Sequence, residues 1–192
     1  MSNMNILRYG NTNTYYLSGL LIDTDMPGTL SGLYRELKRS GLTLSDIRYV
    51  LATHYHPDHM GLISELMSKG VKLLLIDRQR DSVHFSDAIF ARQKNLHYVP
   101  IREEDAYVIS CEESRSFLAG LGIQGELLPT DSHSVDGVCL LTDEGECFAG
   151  DLEPLPYLSG YEDNPLLQAD WERILRHQPK TVYFGHANPM KL

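Results

Sequence analysis

Cysteine is scarce in this chain, basic residues are outnumbered, and no apolar run is long enough to span a bilayer. Cys111, Cys139 and Cys147 are odd in number and lack the close spacing of a thiolate metal site. They read as small core or strand residues of a reduced compartment. The 17 Lys and Arg stand against 26 Asp and Glu, a formal net charge of -9. That negative field disfavours nucleic acid and anionic membrane as main partners. The opening residues Met1-Ser2-Asn3-Met4-Asn5-Ile6-Leu7-Arg8 hold no apolar signal core, so the expected location is the cytoplasm. Internal repeats, low-complexity tracts and linkers are also missing. The 192 residues, 42% of them hydrophobic, fit one domain, 1–192, with a sizeable core.

What is present in unusual density is metal-ligand chemistry. Thr53-His54-Tyr55-His56-Pro57-Asp58-His59 puts three histidines and an aspartate into six residues, directly after the apolar run at 48–52. Residues two apart on an extended backbone point the same way, so His54 and His56 can face one ion from a strand end. Pro57 suits the first position of a helix. Asp58 and His59 then fall in that first turn, aimed differently. Imidazole and carboxylate suit zinc, and also iron or manganese.

Taken in order, residues 5–9, 15–17 and 20–22 read as strands, the last two joined at Ser18-Gly19. Asp23 reads either as a strand-end turn or as an acceptor orienting a ligand imidazole. Leu30, Leu33, Tyr34 and Leu37 recur at helical spacing up to Gly41. The helix opened at Pro57 is expected to run through Leu62, Ile63, Leu66 and Met67 to Gly70, followed by a buried strand at 71–76. In 78–98, Val83, Phe85, Ile89 and Phe90 are expected on one helix face, and His84 and His97 read as packed or surface histidines. A strand at 107–109 and a helix at 112–119 follow. Strands at 126–129, 137–141 and 146–149 come next, the last two a hairpin at Asp143-Glu144-Gly145. Residues 153–165 read as a loop, 166–177 as a helix and 181–184 as the last strand.

One pattern recurs along this order: an apolar strand runs out into a metal-ligand residue. The strand at 48–52 leads to His54, His56, Asp58 and His59. The later strands lead to His133, Asp151 and His186. In strand-and-helix sheets, ligands gather at carboxyl strand ends. Singly, His133 and His186 read as structural histidines and Gly150-Asp151 as a turn. Their joint order behind the dense motif reverses that reading. His84, His97 and His177 are left over.

With these residues assembled, the chain resembles the metallo-β-lactamase-fold hydrolase superfamily, over nearly its whole length. The resemblance implies an α/β fold, a four-layer αββα sandwich with metals at one edge of its sheets. It implies two divalent ions, zinc first, with iron or manganese as alternatives. His54, His56 and His133 would hold one ion, Asp58, His59 and His186 the other, and Asp151 would bridge them. A hydroxide between the ions would be the nucleophile, with Asp58 as the catalytic residue orienting it. The implied substrate is a small molecule carrying an ester, thioester, lactone or phosphoester bond, and a homo-oligomer is compatible with the sequence. The run Ser132-His133-Ser134-Val135-Asp136-Gly137 departs from the family's usual Gly-His and later Pro-Gly, with Gly137 expected to keep the backbone role. Asp151 stands where one secreted β-lactamase class has cysteine. Only six residues follow His186, short of the helical region of glyoxalase II-type thioesterases, and no RNA-binding arm is evident. Two other readings compete: a mononuclear iron sulfur (persulfide) dioxygenase, and a non-catalytic module on the same fold. Tyr157 and Tyr161 are candidate hydrogen-bond donors to a developing oxyanion, or plain loop aromatics.

Overall fold

A computed structural model describes residues 4–160 and 163–192. The chain divides into two compact units, Met1–Ser110 and Cys111–Leu192. Each is built on one mixed sheet with flanking helices, the α/β class expected. Among the described residues, no helix is long and apolar enough to cross a membrane.

Among the described residues, the first unit holds six strands in sequence order across the sheet. Met4–Arg8 (β1), Asn13–Leu17 (β2) and Leu20–Ile22 (β3) are antiparallel. Ser18 and Gly19 join β2 to β3 with φ of 49° and 90°, the doubly left-handed turn that matches strand twist. Leu30–Arg39 (α1) crosses to Tyr49–Leu51 (β4), which pairs parallel with β3. Pro57–Met60 (α2) and Ile63–Met67 (α3) lead to Lys72–Ile76 (β5). Asp87–Ala91 (α4) precedes Tyr107–Ile109 (β6), and β4, β5 and β6 are parallel. Leu33 and Leu37 of α1 and Ile63 and Leu66 of α3 join Leu21, Val50, Leu73 and Leu75 in one core. Each such fully buried side chain contributes about 1.5–3 kcal/mol.

The helix expected over 57–70 is broken, and Thr24 explains it. The His59 carbonyl accepts from Thr24 N (2.9 Å) and Thr24 Oγ1 (3.0 Å), while Leu62 N donates to that same hydroxyl (3.2 Å). One threonine thus diverts bonds that a continuous helix would make internally. Residues 78–98 depart further. Val83 and Phe90 are buried, but Phe85 is 59% exposed and Ile89 38%, so no single helix face carries all four. The segment runs as a 3₁₀ turn over Asp77–Ser82, then α4, then a second 3₁₀ turn at Lys94–Leu96. It is tied down by polar side chains: Gln79 Nε2 donates to Ala52 O (3.0 Å) and Ser86 Oγ to Tyr55 O (2.8 Å).

The second unit opens with Cys111–Gly120 (α5). Gly125–Pro129 (β7), Val138–Thr142 (β8) and Glu146–Phe148 (β9) form an antiparallel meander. Pro165–Leu175 (α6) then crosses to Thr181–Tyr183 (β10), parallel to β9, and Met190–Lys191 (β11) closes the edge. No sequence pattern marks the two-residue β11. Pro165 at the first position of α6 and the Asn164 side chain accepting from Leu167 N (3.1 Å) start that helix. Leu167, Trp171 and Ile174 pack with Cys139, Leu141, Cys147 and Val182. Cys139 and Cys147 are therefore core residues, as expected, and Cys111 is half-buried.

Candidate metal centre

In the first unit, β4 runs out at Leu51 and the chain stays buried through Tyr55. Asp23, at the end of β3, has φ 58°, a left-handed conformation costly for a non-glycine residue. Its contacts offset that cost. Its carboxylate accepts from Thr53 N (2.6 Å) and from Thr53 Oγ1 (3.0 and 2.9 Å), and its Oδ2 lies 3.0 Å from His59 Nδ1. Of the two readings open for Asp23, the structure supports the acceptor that orients an imidazole.

The histidine rings crowd together here. His54 Nε2 is 3.0 Å from His56 Nδ1, and the ring centroids are 4.4 Å apart. The ring of His59 is centred 4.2 Å from that of His54. Asp58 Oδ2 accepts from Thr12 Oγ1 (3.4 Å). Thr12 is placed by Asp25, a buried carboxylate that the sequence reading passed over. Asp25 accepts from Asn11 N, from Thr12 N (3.0 Å) and from Met26 N (2.6 Å).

In the second unit, three strand ends each deliver one donor. His133 follows β7, Asp151 follows β9 through Gly150, and His186 follows β10 through Gly185. Gly185 N donates to Gly150 O (2.7 Å), which fastens two of those ends together. Asp151 Oδ2 lies 3.7 Å from His133 Nε2 and 3.4 Å from His186 Nε2. The carboxylate is therefore flanked by both imidazoles. A cavity of about 290 Å³ opens on these three residues and on Leu152, Pro154 and Tyr157. Tyr157 is thus at the cavity wall; Tyr161 lies outside the described residues.

Gly137 keeps the expected backbone role. Its carbonyl accepts from Thr130 N (2.9 Å) and a Cβ there would overlap Thr130 O. A second carboxylate missed by sequence reading, Asp170, accepts from Asp131 N (2.9 Å) and Ser132 N (2.8 Å). Its signal was available: it sits among Leu167, Trp171 and Ile174 on the apolar face of α6, where a lone acid needs a partner. The leftover histidines lie elsewhere. His84 Nδ1 pairs with Asp87 Oδ2 at 2.8 Å, His177 Nδ1 lies 3.5 Å from Glu126 Oε1, and His97 is exposed.

The donor chemistry fits divalent metal. Imidazole nitrogens and carboxylate oxygens are the ligands zinc, iron and manganese take. Ligand atoms of His54 and His56 lie within 4.8 Å of one another, as do those of Asp58 and His59. Each unit thus presents a set of such donors beyond its parallel strand ends, in an α/β protein with a candidate metal centre. A family model described as the metallo-beta-lactamase superfamily matches residues 7–186. The chain belongs to that superfamily and has its α/β layered fold.

The relatives agree. The chain is 26% identical over 195 residues to the probable metallo-hydrolase YqjP of Bacillus subtilis (strain 168), covering 82% of this chain. It spans 60% of that relative's length. Among solved structures, the metallo-beta-lactamase family protein TTHA1429 of Thermus thermophilus superposes with a TM-score of 0.74 at 20% identity, covering 98% of this chain and 75% of that one. TTHA1623 in a di-iron-bound form superposes at 0.68 with 24% identity, covering 97% and 93%.

Proposed function

We propose that this protein is a metal-dependent hydrolase of small molecules that works through a pair of divalent ions. His54, His56 and His133 would hold one ion, Asp58, His59 and His186 the other, with Asp151 shared. The observation that supports this most is the crowding of three imidazoles beyond β4, together with a carboxylate flanked by two imidazoles in the second unit. When bound, such ions supply Lewis acidity and bring the pKa of water down to about 7. The chain's own residues do the rest. Asp23 holds Thr53 and faces His59, fixing the strand-end ligands. Asp58, placed beside Thr12, accepts a proton and orients the attacking oxygen. Tyr157, which lines the cavity, would donate to the oxygen that becomes negative in an ester, thioester, lactone or phosphoester.

The test is metal quantification of the purified chain, followed by a panel of those four bond types before and after chelation. About two divalent ions per chain, with turnover lost on chelation and restored by metal, is the expected result. Two bound ions with no metal-dependent turnover across the panel would sink the hydrolase reading. A mononuclear iron sulfur dioxygenase is the alternative; the structural relative TTHA1623 holds iron in its di-iron-bound form. One iron per chain and oxygen uptake with a persulfide would establish it instead.

A further inference from the structure

We infer that Asp170 and Arg173, two residues of α6 outside every motif, are positioning residues for the His133 ligand. The inference rests on the metal reading above. Asp170 is 1% exposed, and a carboxylate so buried needs full compensation. It receives that compensation from the segment running into His133. Asp170 Oδ2 accepts from Asp131 N (2.9 Å) and Ser132 N (2.8 Å), the two amides immediately before the histidine. Its other oxygen accepts from Arg173 Nη1 (3.0 Å), and the same nitrogen donates to Pro129 O (2.6 Å) at the end of β7.

With Thr130 N donating to Gly137 O (2.9 Å), the backbone of 129, 130, 131 and 132 is engaged at every residue. Four consecutive residues are thus fixed ahead of an imidazole that is itself 36% exposed. An exposed side chain has little packing of its own to set its direction, so its aim is inherited from the backbone that carries it. Two charge-assisted bonds to one buried carboxylate are a stiff way to supply that. Groups that orient ligands in this manner typically change metal affinity about ten- to a hundred-fold when removed.

The experiment uses the full chain. Zinc affinity is measured by competition with a chromophoric chelator for wild type, Asp170→Ala, Asp170→Asn and Arg173→Gln. Amide hydrogen exchange at residues 131 and 132 is read on the metal-free proteins. Asp170→Ala is expected to weaken the zinc that His133 would help to hold about ten- to a hundred-fold and to speed exchange at both amides about tenfold or more. Asp170→Asn, which keeps an acceptor oxygen, is expected to recover part of both. Arg173→Gln, at a half-buried position, gives a smaller loss in a chain that still folds if Asp170→Ala does not. Faster exchange with zinc affinity unchanged would overturn the inference and leave a purely structural anchor. Should wild type take up no zinc, the metal reading fails separately. Unchanged exchange at 131 and 132 in the variants would then overturn the positioning role on its own evidence.

Discussion

The two donor sets are assembled in opposite ways. In the first unit the donors come from one run of six residues. His54 and His59 are buried, and Asp23, Asp25 and Gln79 tie the backbone on either side of the motif or facing it. In the second unit, each donor comes from a different strand end, and His133 and His186 keep 36% of their side-chain surface. A contiguous motif can be stiffened by local hydrogen bonds. A dispersed one depends on sheet register and on a few bonds between strand ends. The first set should therefore couple tightly to folding, and the second should be removable with little effect on stability.

The sharpest challenge to that contrast is Asp23→Ala. It leaves the buried Thr53 amide without its acceptor, at about 1–3 kcal/mol, while the Thr53 hydroxyl keeps His54 Nδ1 at 3.2 Å. Urea unfolding should lose about 2–4 kcal/mol in all. A loss below about 1 kcal/mol would mean that the first set is not locked as described. Next, Gly61→Ala and Gly137→Ala each place a methyl group against a backbone carbonyl, of Asp25 and Thr130 respectively. Overpacking should cost each about 1–3 kcal/mol; equal costs would show that both sets rest on one close backbone approach.

His133→Ala and His186→Ala should change stability of the metal-free chain by no more than about 0.5 kcal/mol while lowering bound metal. A larger stability loss would erase the contrast. The smallest effect concerns the thiols. The neighbouring Cys139 and complete burial push the Cys147 thiol well above its usual value. A raised thiol stays protonated, and unreactive, to higher pH. Alkylation of the native chain at pH 8 should therefore label half-buried Cys111 first, with Cys147 modified only on unfolding, as peptide mapping would show.

The sequence made the strands and the clustering of donor-type residues at their ends legible because both are written in local pattern: apolar runs that stop at Thr53-His54, Thr130-Asp131, Gly150-Asp151 and Gly185-His186. What stayed hidden depends on partners distant in the chain. The break between α2 and α3 is made by Thr24, which nothing between 57 and 70 reveals. Asp25 and Asp170 act on backbone amides, and an amide carries no side-chain signature to match against. Segment 78–98 misled because Phe85 and Ile89 are apolar yet exposed, so periodicity pointed to a helix face that does not form. β11 is only two residues long and has no pattern to read.

The short link from the Gly185 amide to the Gly150 carbonyl carries a consequence for how this region tolerates change. It sits where two parallel strands end side by side, so Asp151 and His186 keep in step as a pair. The length of the connection between β9 and β10 does not set their alignment, because the bond joins the two strand ends directly. A single residue inserted within 181–184 would turn the chain by half a pleat, present the imidazole to the opposite face and strand its aspartate neighbour.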